Sequence, residues 1–249
     1  MKKHFHKEYI KHQDKIDGFI NDFATSGKLL GNEKRNSIKL FKLEDQTINI
    51  KSFKIPNIFN KLAYKFLRKS KAQRSYEYAE KLIDLGIGTP QPIAFYEFTN
   101  KGLFYKSYYI SEQIEYDLTY RELIHDFNYP DYETILRAFT RFTYKLHENG
   151  VHFLDHSPGN TLIKKENEDY KFYLVDLNRM KFEPMSFDVR IKNFARLTEH
   201  KSMIEIMSDE YAKCINAKFN EVFDKMWKYT QEFRQSIQRK KRLKKLVRF

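Results

Sequence analysis

Three oxygen-bearing side chains stand at intervals that suit phosphate and magnesium chemistry. Asp155 and Asn160 lie in "VHFLDHSPGN", and Asp176 ends the apolar run of "YLVDLNRM". Phosphoryl transfer from a nucleotide needs a carboxylate to orient or deprotonate the attacking hydroxyl, oxygen ligands to hold Mg²⁺ on the phosphates, and a lysine to place them. Asp155 with Asn160 offers a base and a neutral metal ligand on one tight loop, and Asp176 offers a charged ligand at a strand end. Magnesium prefers this mixture of one or two carboxylates with waters and phosphate oxygens. Taken singly, each residue has an ordinary structural use: Asp155 capping a turn, Asn160 opening a strand, Asp176 closing one. The ordered set of loop, hairpin and strand end favours chemistry.

The protein-kinase catalytic pattern runs His-Arg-Asp, four variable residues, Asn, and later Asp-Phe-Gly. Asp155, Asn160 and Asp176 keep that spacing, with two departures: Phe153 stands where the histidine belongs, with His152 one place further back, and Ser157 stands where Ser/Thr protein kinases carry a lysine. "DHSPGN" is similar instead to the loops of small-molecule kinases such as the aminoglycoside and choline kinases.

Those groups need elements to hold them. Residues 37–54, "SIKLFKLEDQTINIKSFK", alternate as two strands around a turn at 44–46. If Ile48 and Ile50 face one side, Asn49 and Lys51 face the other, which makes Lys51 the candidate phosphate lysine and Lys54 the weaker alternative. "KAQRSYEYAEKLIDLG" reads as a helix on the spacing of Tyr78, Leu82 and Leu85, with Gly86 just past its end. It carries Glu77, the preferred partner for Lys51, and Glu80, the alternative. Two strand-like runs follow around Asn100, Lys101 and Gly102. There is no G-x-G-x-x-G lid, but "GKLLGNEKRN" offers the Gly31 backbone and Arg35 to the phosphates. "SEQIEYD" falls where a hinge between lobes belongs, so that the backbone near Gln113 would meet the adenine.

Beyond Tyr116 the pattern turns helical. Ile135, Phe139, Phe142 and Leu146 form a stripe closed by "ENG"; "NTLIKK" and "YKFYLVDL" read as two strands; everything from Phe187 on reads as helix. Strands dominate the first part and helices the second, with no βαβ alternation. This is α+β with two lobes: 1–112 binding nucleotide, 113–238 catalytic, and 239–249 a basic tail.

With 249 residues, 41% hydrophobic and 16% aromatic, the chain can bury a sizeable core and lies far from disordered composition. The charge of +13 attracts acidic partners: nucleic acid, an anionic membrane or a phosphate-rich substrate. Cys214 is the only cysteine, so no intrachain disulfide forms, and its helix-like context predicts a buried, inert thiol. The opening "MKKHFHKEYIKHQDK" lacks the apolar run of a secretion signal, and His4, His6 and His12 there are expected to serve as surface residues, not metal ligands.

The segments "RNSIKLFKL", "INIKSFKIPN", "SKAQRSYEYAEKLIDLGIGTPQPIA", "DHSPGNTLI" and "LVDLNRMKF" together resemble the lipopolysaccharide kinase family, which includes the Kdo and heptose kinases of the inner core. The resemblance runs from about residue 27 to about residue 196. It implies a protein-kinase-like fold, ATP with Mg²⁺, and transfer of the γ-phosphate to a hydroxyl of an inner-core sugar. Asp155 would be the base, Asn160 and Asp176 the metal ligands, and Lys51 the phosphate lysine. The acceptor would be the inner-core glycolipid, which suits a cytoplasmic protein resting on the inner face of the inner membrane. Other readings are a kinase for proteins or another small molecule, and a pseudokinase or basic binding module.

In the last segment Phe219, Phe223, Met226, Phe233 and Ile237 share a helical face expected to pack on the core. After Arg239 the apolar residues Leu243, Leu246 and Val247 move to another face amid basic residues, as in a separate segment. Such an end suits an anionic leaflet or simply a solvated helix terminus. Nucleic acid is the less favoured partner, since no recognised binding module accompanies the charge.

Overall fold

The computed structural model describes residues 1–31, 36–55 and 68–246. They form two compact units, Met1–Glu115 with Asp176–Asn178, and Tyr116–Val175 with Arg179–Phe249.

The first unit is built on a six-stranded antiparallel sheet. Its strands are β1 (Lys2–Phe5), β2 (Lys28–Leu29), β3 (Asn36–Leu43), β4 (Gln46–Phe53), β5 (Pro92–Asn100) and β6 (Leu103–Glu112), in the order β1-β5-β6-β4-β3-β2. The β3–β4 hairpin closes one residue tighter than the spacing suggested, with Leu43 opposite Gln46 and Glu44 at φ 53°. Lys101 and Gly102, both at positive φ, join β5 to β6 in a two-residue turn whose twist matches that of its strands.

The even-numbered residues of β4 and β6, Ile48, Ile50, Tyr108 and Ile110, are buried against Tyr9, Ile16, Ile20 and Phe23. Those four come from a 3-10 helix (Lys7–His12), from α1 (Gln13–Asn21) and from the turn after it. No helix or strand was expected in this opening segment, whose apolar residues are too thinly spread to announce an element. α2 (Lys71–Asp84) packs on β5 and β6, and Tyr76 meets Phe95 with ring centroids 5.6 Å apart. Ser70 caps α2 by accepting from the Gln73 N–H, and Gly86 beyond its end takes φ 64°. The buried face of α2 is Ala72, Ser75, Tyr76, Ala79 and Leu82. Of the expected stripe of Tyr78, Leu82 and Leu85, only Leu82 is buried, because two alanines and one tyrosine fill that face.

The second unit is mainly helical. It contains β7 (Leu118–Thr119), α3 (Tyr120–His125), α4 (Tyr132–Glu148), β8 (Val151–Phe153), β9 (Thr161–Glu166), β10 (Asp169–Leu174), β11 (Met180–Phe182), α5 (Phe187–Lys192), a 3-10 turn (Asn193–Arg196), α6 (Lys201–Ile215) and α7 (Phe219–Leu246). The strands make two small antiparallel sheets, β10-β9-β7 and β11-β8. Ile135, Phe139 and Leu146 of α4 are fully buried and Phe142 partly so, which bears out that stripe. The β8–β11 pair was not anticipated, since three-residue strands carry no readable period.

On α7 the buried line is Val222, Met226 and Thr230, while Phe219 is exposed. Of the expected stripe, Met226 is fully buried and Phe223 packs against the core as a half-buried residue, while Val222 and Thr230 fill the rest of the buried line. The helix runs unbroken through Arg239 to Leu246, so the basic end continues this helix and is not a separate element. Cys214 is half-buried, short of the full burial expected, and burial pushes its thiol up.

Candidate active site

In the second unit the "DHSPGN" loop is fixed from below and from the side. His156 is completely buried, stacked on Phe139 with ring centroids 5.4 Å apart, and its Nε2 lies 3.3 Å from Thr143 Oγ1. Burial pushes its imidazole down to about 3. His147 of α4 is held between the Tyr211 hydroxyl (2.7 Å from Nδ1) and Asn193 Oδ1 (3.2 Å from Nε2). The Asn193 amide donates to the Phe153 carbonyl at 2.9 Å, so its oxygen faces His147 and the Nε2–H is the donor. Burial takes His147 down to about 4. This neutral chain ties α4, α6 and the 3-10 turn to the strand that delivers Asp155. A Cβ on Gly159 would come within 2.6 Å of the Arg121 guanidinium, so only glycine fits there without displacing that side chain.

Asn160 Nδ2 donates to the Asp155 carbonyl at 2.8 Å. That bond fixes the amide and leaves Asn160 Oδ1 without a partner among the described residues. The Asp155 carboxylate lies between two arginines: Arg196 Nη2 is 2.8 Å from Oδ1, and Arg179 Nη1 is 4.0 Å from Oδ2. Neither arginine carried a legible signal, for their distances from Asp155 in sequence match no catalytic spacing.

In the first unit Lys51 Nζ contacts Asp176 Oδ1 at 2.6 Å, across 125 positions of chain. The lysine side chain, on the Asn49 face of β4, is only 12% exposed. Asn178 Nδ2 donates to the same oxygen at 2.6 Å, which leaves Asp176 Oδ2 unengaged among the described residues. Asp176 sits at φ 59°, a left-handed conformation uncommon outside glycine that recurs at functional sites. Lys71, the first residue of α2, shares the Phe53 ring with Lys51, at 6.0 and 5.4 Å from its centroid. Burial lowers its ammonium, nearby Asp176 raises it, and Arg74, Lys51 and Arg68 push it down again.

The expected pairing of Lys51 with a helix glutamate is not what the structure holds. Glu77 takes Lys69 on both oxygens, at 2.9 and 2.8 Å, and Gln73 on one. Lys69 precedes the cap of α2, close enough to neutralise Glu77 locally, whereas Asp176 neutralises Lys51. Glu80 instead raises the phenol of Tyr76, itself driven up mainly by burial. Lys54 is exposed. The Gln113 N–H is committed to the Thr47 carbonyl and its side chain to Asn49 and Ile114, which leaves other backbone groups near Gln113 for the adenine contact expected there. Gly31, at φ 79°, is exposed with open space around it, and Arg35 lies outside the described residues.

The antiparallel sheet of the first unit and the helical second unit define a protein-kinase-like fold. A structure of WaaP in complex with acyl carrier protein matches with a TM-score of 0.65 and 13% identity, over 96% of this chain and 99% of that one. MAP kinase LmaMPK10 from Leishmania major matches with a TM-score of 0.50 and 17% identity, over 86% of this chain and 64% of that one. No curated protein matches the sequence. The model of the lipopolysaccharide kinase (Kdo/WaaP) family matches residues 53–217, and the chain belongs to that family. It is accordingly a lipopolysaccharide kinase, a phosphotransferase that uses ATP.

Proposed function

We propose that the chain transfers the γ-phosphate of Mg-ATP to a sugar hydroxyl, on Kdo or heptose, of the lipopolysaccharide inner core. The observation that carries this reading is the Lys51–Asp176 pair: a shielded lysine and a carboxylate in contact, each of the type that nucleotide phosphate and its metal require. Asn160 Oδ1 and Asp176 Oδ2 are hard oxygens with no hydrogen-bond partner among the described residues, the donors that magnesium takes. An ion taking oxygens of this kind would neutralise charge on the phosphates. Lys51 then grips phosphate oxygens, and Asp155, held by Arg196, orients the acceptor hydroxyl. Thermal melting with ATP and Mg²⁺, followed by radiolabel transfer to Kdo-bearing and heptose-bearing lipid acceptors, tests the proposal. The expected results are a metal-dependent rise in melting temperature and labelling of one lipid class. A shift without any lipid labelling, but with labelled peptide or small alcohols, would move the acceptor elsewhere; no shift at all would favour a binding module.

The basic end of α7 fits an enzyme whose acceptor is a glycolipid. Residues 239–246 are all exposed, with Leu243 at 60% and Leu246 at 73%. No described helix is long and apolar enough to cross a membrane. The exposed basic end supports a reading of peripheral attachment on the cytoplasmic face, each basic residue near an anionic leaflet contributing about 1 kcal/mol. Sedimentation with anionic vesicles should be strong in low salt and weak for neutral vesicles. Replacing Arg239, Lys240, Lys241 and Arg242 with glutamine should lower partitioning at least about tenfold. Equal binding to both vesicle types would refute electrostatic attachment.

A further inference from the structure

Ser/Thr protein kinases place a lysine two residues after the catalytic aspartate, and this chain has Ser157 there. In the reading above, the transferring phosphoryl group must come next to the hydroxyl that Asp155 orients, so a cation is wanted within reach of the Asp155 carboxylate. The structure supplies one from 41 residues downstream in sequence. Arg196, at the end of the 3-10 turn, places Nη2 2.8 Å from Asp155 Oδ1 and Nη1 3.0 Å from the Leu154 carbonyl. Its guanidinium lies over the Phe233 ring of α7, 5.6 Å from the centroid. It is thus set from two sides while its side chain stays 34% exposed. A guanidinium has five N–H donors, and these two bonds leave others to face a ligand. Among the described residues the Arg179 side chain has one ion pair, at 4.0 Å, and is 54% exposed, so it is the less firmly held of the two.

We propose that Arg196 is the catalytic cation of the transfer step, in the place of the absent lysine, and that it both holds Asp155 and stabilises the moving phosphoryl. This rests on the kinase reading above. In the step, the acceptor oxygen forms a bond to the γ-phosphorus as the bond from that phosphorus to the β–γ bridging oxygen breaks. The electron pair of that bond leaves with ADP, and the hydroxyl proton passes to Asp155. Charge on the equatorial phosphoryl oxygens is what a preorganised guanidinium stabilises, and it does so more in the transition state than in bound ATP.

The test uses the full chain with Arg196→Gln, Arg196→Lys and Arg196→Gln/Ser157→Lys. Glutamine retains a donor for the Leu154 carbonyl but removes the charge. Arg196→Gln should melt near wild type, bind ATP with Mg²⁺ about as well, and lose about 10²–10³-fold in kcat. Its affinity for ADP with aluminium fluoride, a mimic of the transferring phosphoryl, should fall while its affinity for ADP holds. Adding Ser157→Lys should recover at least about tenfold of the lost kcat, because it returns a cation to the same carboxylate. Arg196→Lys should retain more activity than Arg196→Gln. A kcat within about threefold of wild type for Arg196→Gln, or equal weakening for ADP with and without the fluoride, would overturn the proposal. So would a Ser157→Lys addition that recovers nothing while Arg196→Lys is fully inactive. Failure of wild type to bind Mg-ATP would instead sink the kinase reading, so the two failures are distinguishable.

Discussion

Asp176→Ala should abolish the stabilisation of the protein by Mg-ATP, whereas Asp155→Ala should keep that stabilisation and lose transfer. The two carboxylates stand in different surroundings. Asp176 contacts Lys51 and Asn178 through Oδ1 and has no Oδ2 partner among the described residues, so under the proposed roles its loss removes a metal ligand and the counter-charge of the phosphate lysine together. Nucleotide affinity should fall at least about 10²-fold, by comparison with the 10–100-fold cost of losing only an outer partner of a metal site. The free protein should also lose about 1–2 kcal/mol, because Lys51 is left well shielded without its anion; the figure is below that for a fully buried pair since Asp176 is 32% exposed. Asp155 holds no such lysine. Its loss should lower kcat by about 10²–10⁴, the usual share of a positioned general base. Isothermal titration of both variants with Mg-ATP, beside single-turnover transfer, checks the pair. Equal loss of nucleotide binding in both would refute the assignment of base to one and metal ligand to the other.

Much of the site was legible because it is short-range. Asp155, Ser157 and Asn160 belong to one loop, and their spacing survives any error in the elements around it. Lys51 was placed on its face by strand alternation alone, since Ile48 and Ile50 pack in the opposite direction. What the sequence hid is long-range or locally ambiguous. Arg196 meets Asp155 only because α5 and the 3-10 turn fold back, and no periodicity announces that. Glu77 looked like a partner for Lys51 because spacing shows that a glutamate lies on the helix but not which lysine reaches it first; Lys69 does. The faces of α2 and α7 were read only in part: Leu82 and Met226 of the expected stripes are buried, but the same faces are completed by Ala72, Ala79 and Thr230, small side chains that no apolar stripe announces. The strand in the opening segment went unread because β1 is an edge strand whose partner, β5, lies some ninety residues on, with Lys2 opposite Glu97.

Lowering the pH from 7 to 5 should destabilise the protein steeply, and His156→Leu should flatten that slope. His147 and His156 are neutral and buried, depressed by desolvation to about 4 and about 3. Secondary causes act the same way on His156, from His147, Arg196 and His152; on His147, Arg190 and His152 lower while the Asn193 bond raises. In the unfolded chain both titrate near about 6.5. Below that value the unfolded state binds protons that the folded state refuses, so stability rises with pH through the window and is lost as pH falls toward the folded values. At pH 5 each histidine should cost on the order of 2 kcal/mol relative to pH 8. The acidic groups held low by ion pairs, Asp131, Asp188 and Asp209, release their contribution only below the ordinary carboxylate range, so they do not mask the effect. Chemical denaturation at pH 7, 6 and 5 measures it directly. Leucine at 156 keeps apolar volume beneath the loop and removes the titrating ring, so the fall between pH 7 and pH 5 should shrink by roughly half. An unchanged slope in the variant would mean that His156 is not the proton acceptor. Because His156 is the residue after Asp155, its protonation would drive the loop out of its seat on Phe139. The loss of transfer on acidification should therefore follow the loss of structure, not precede it.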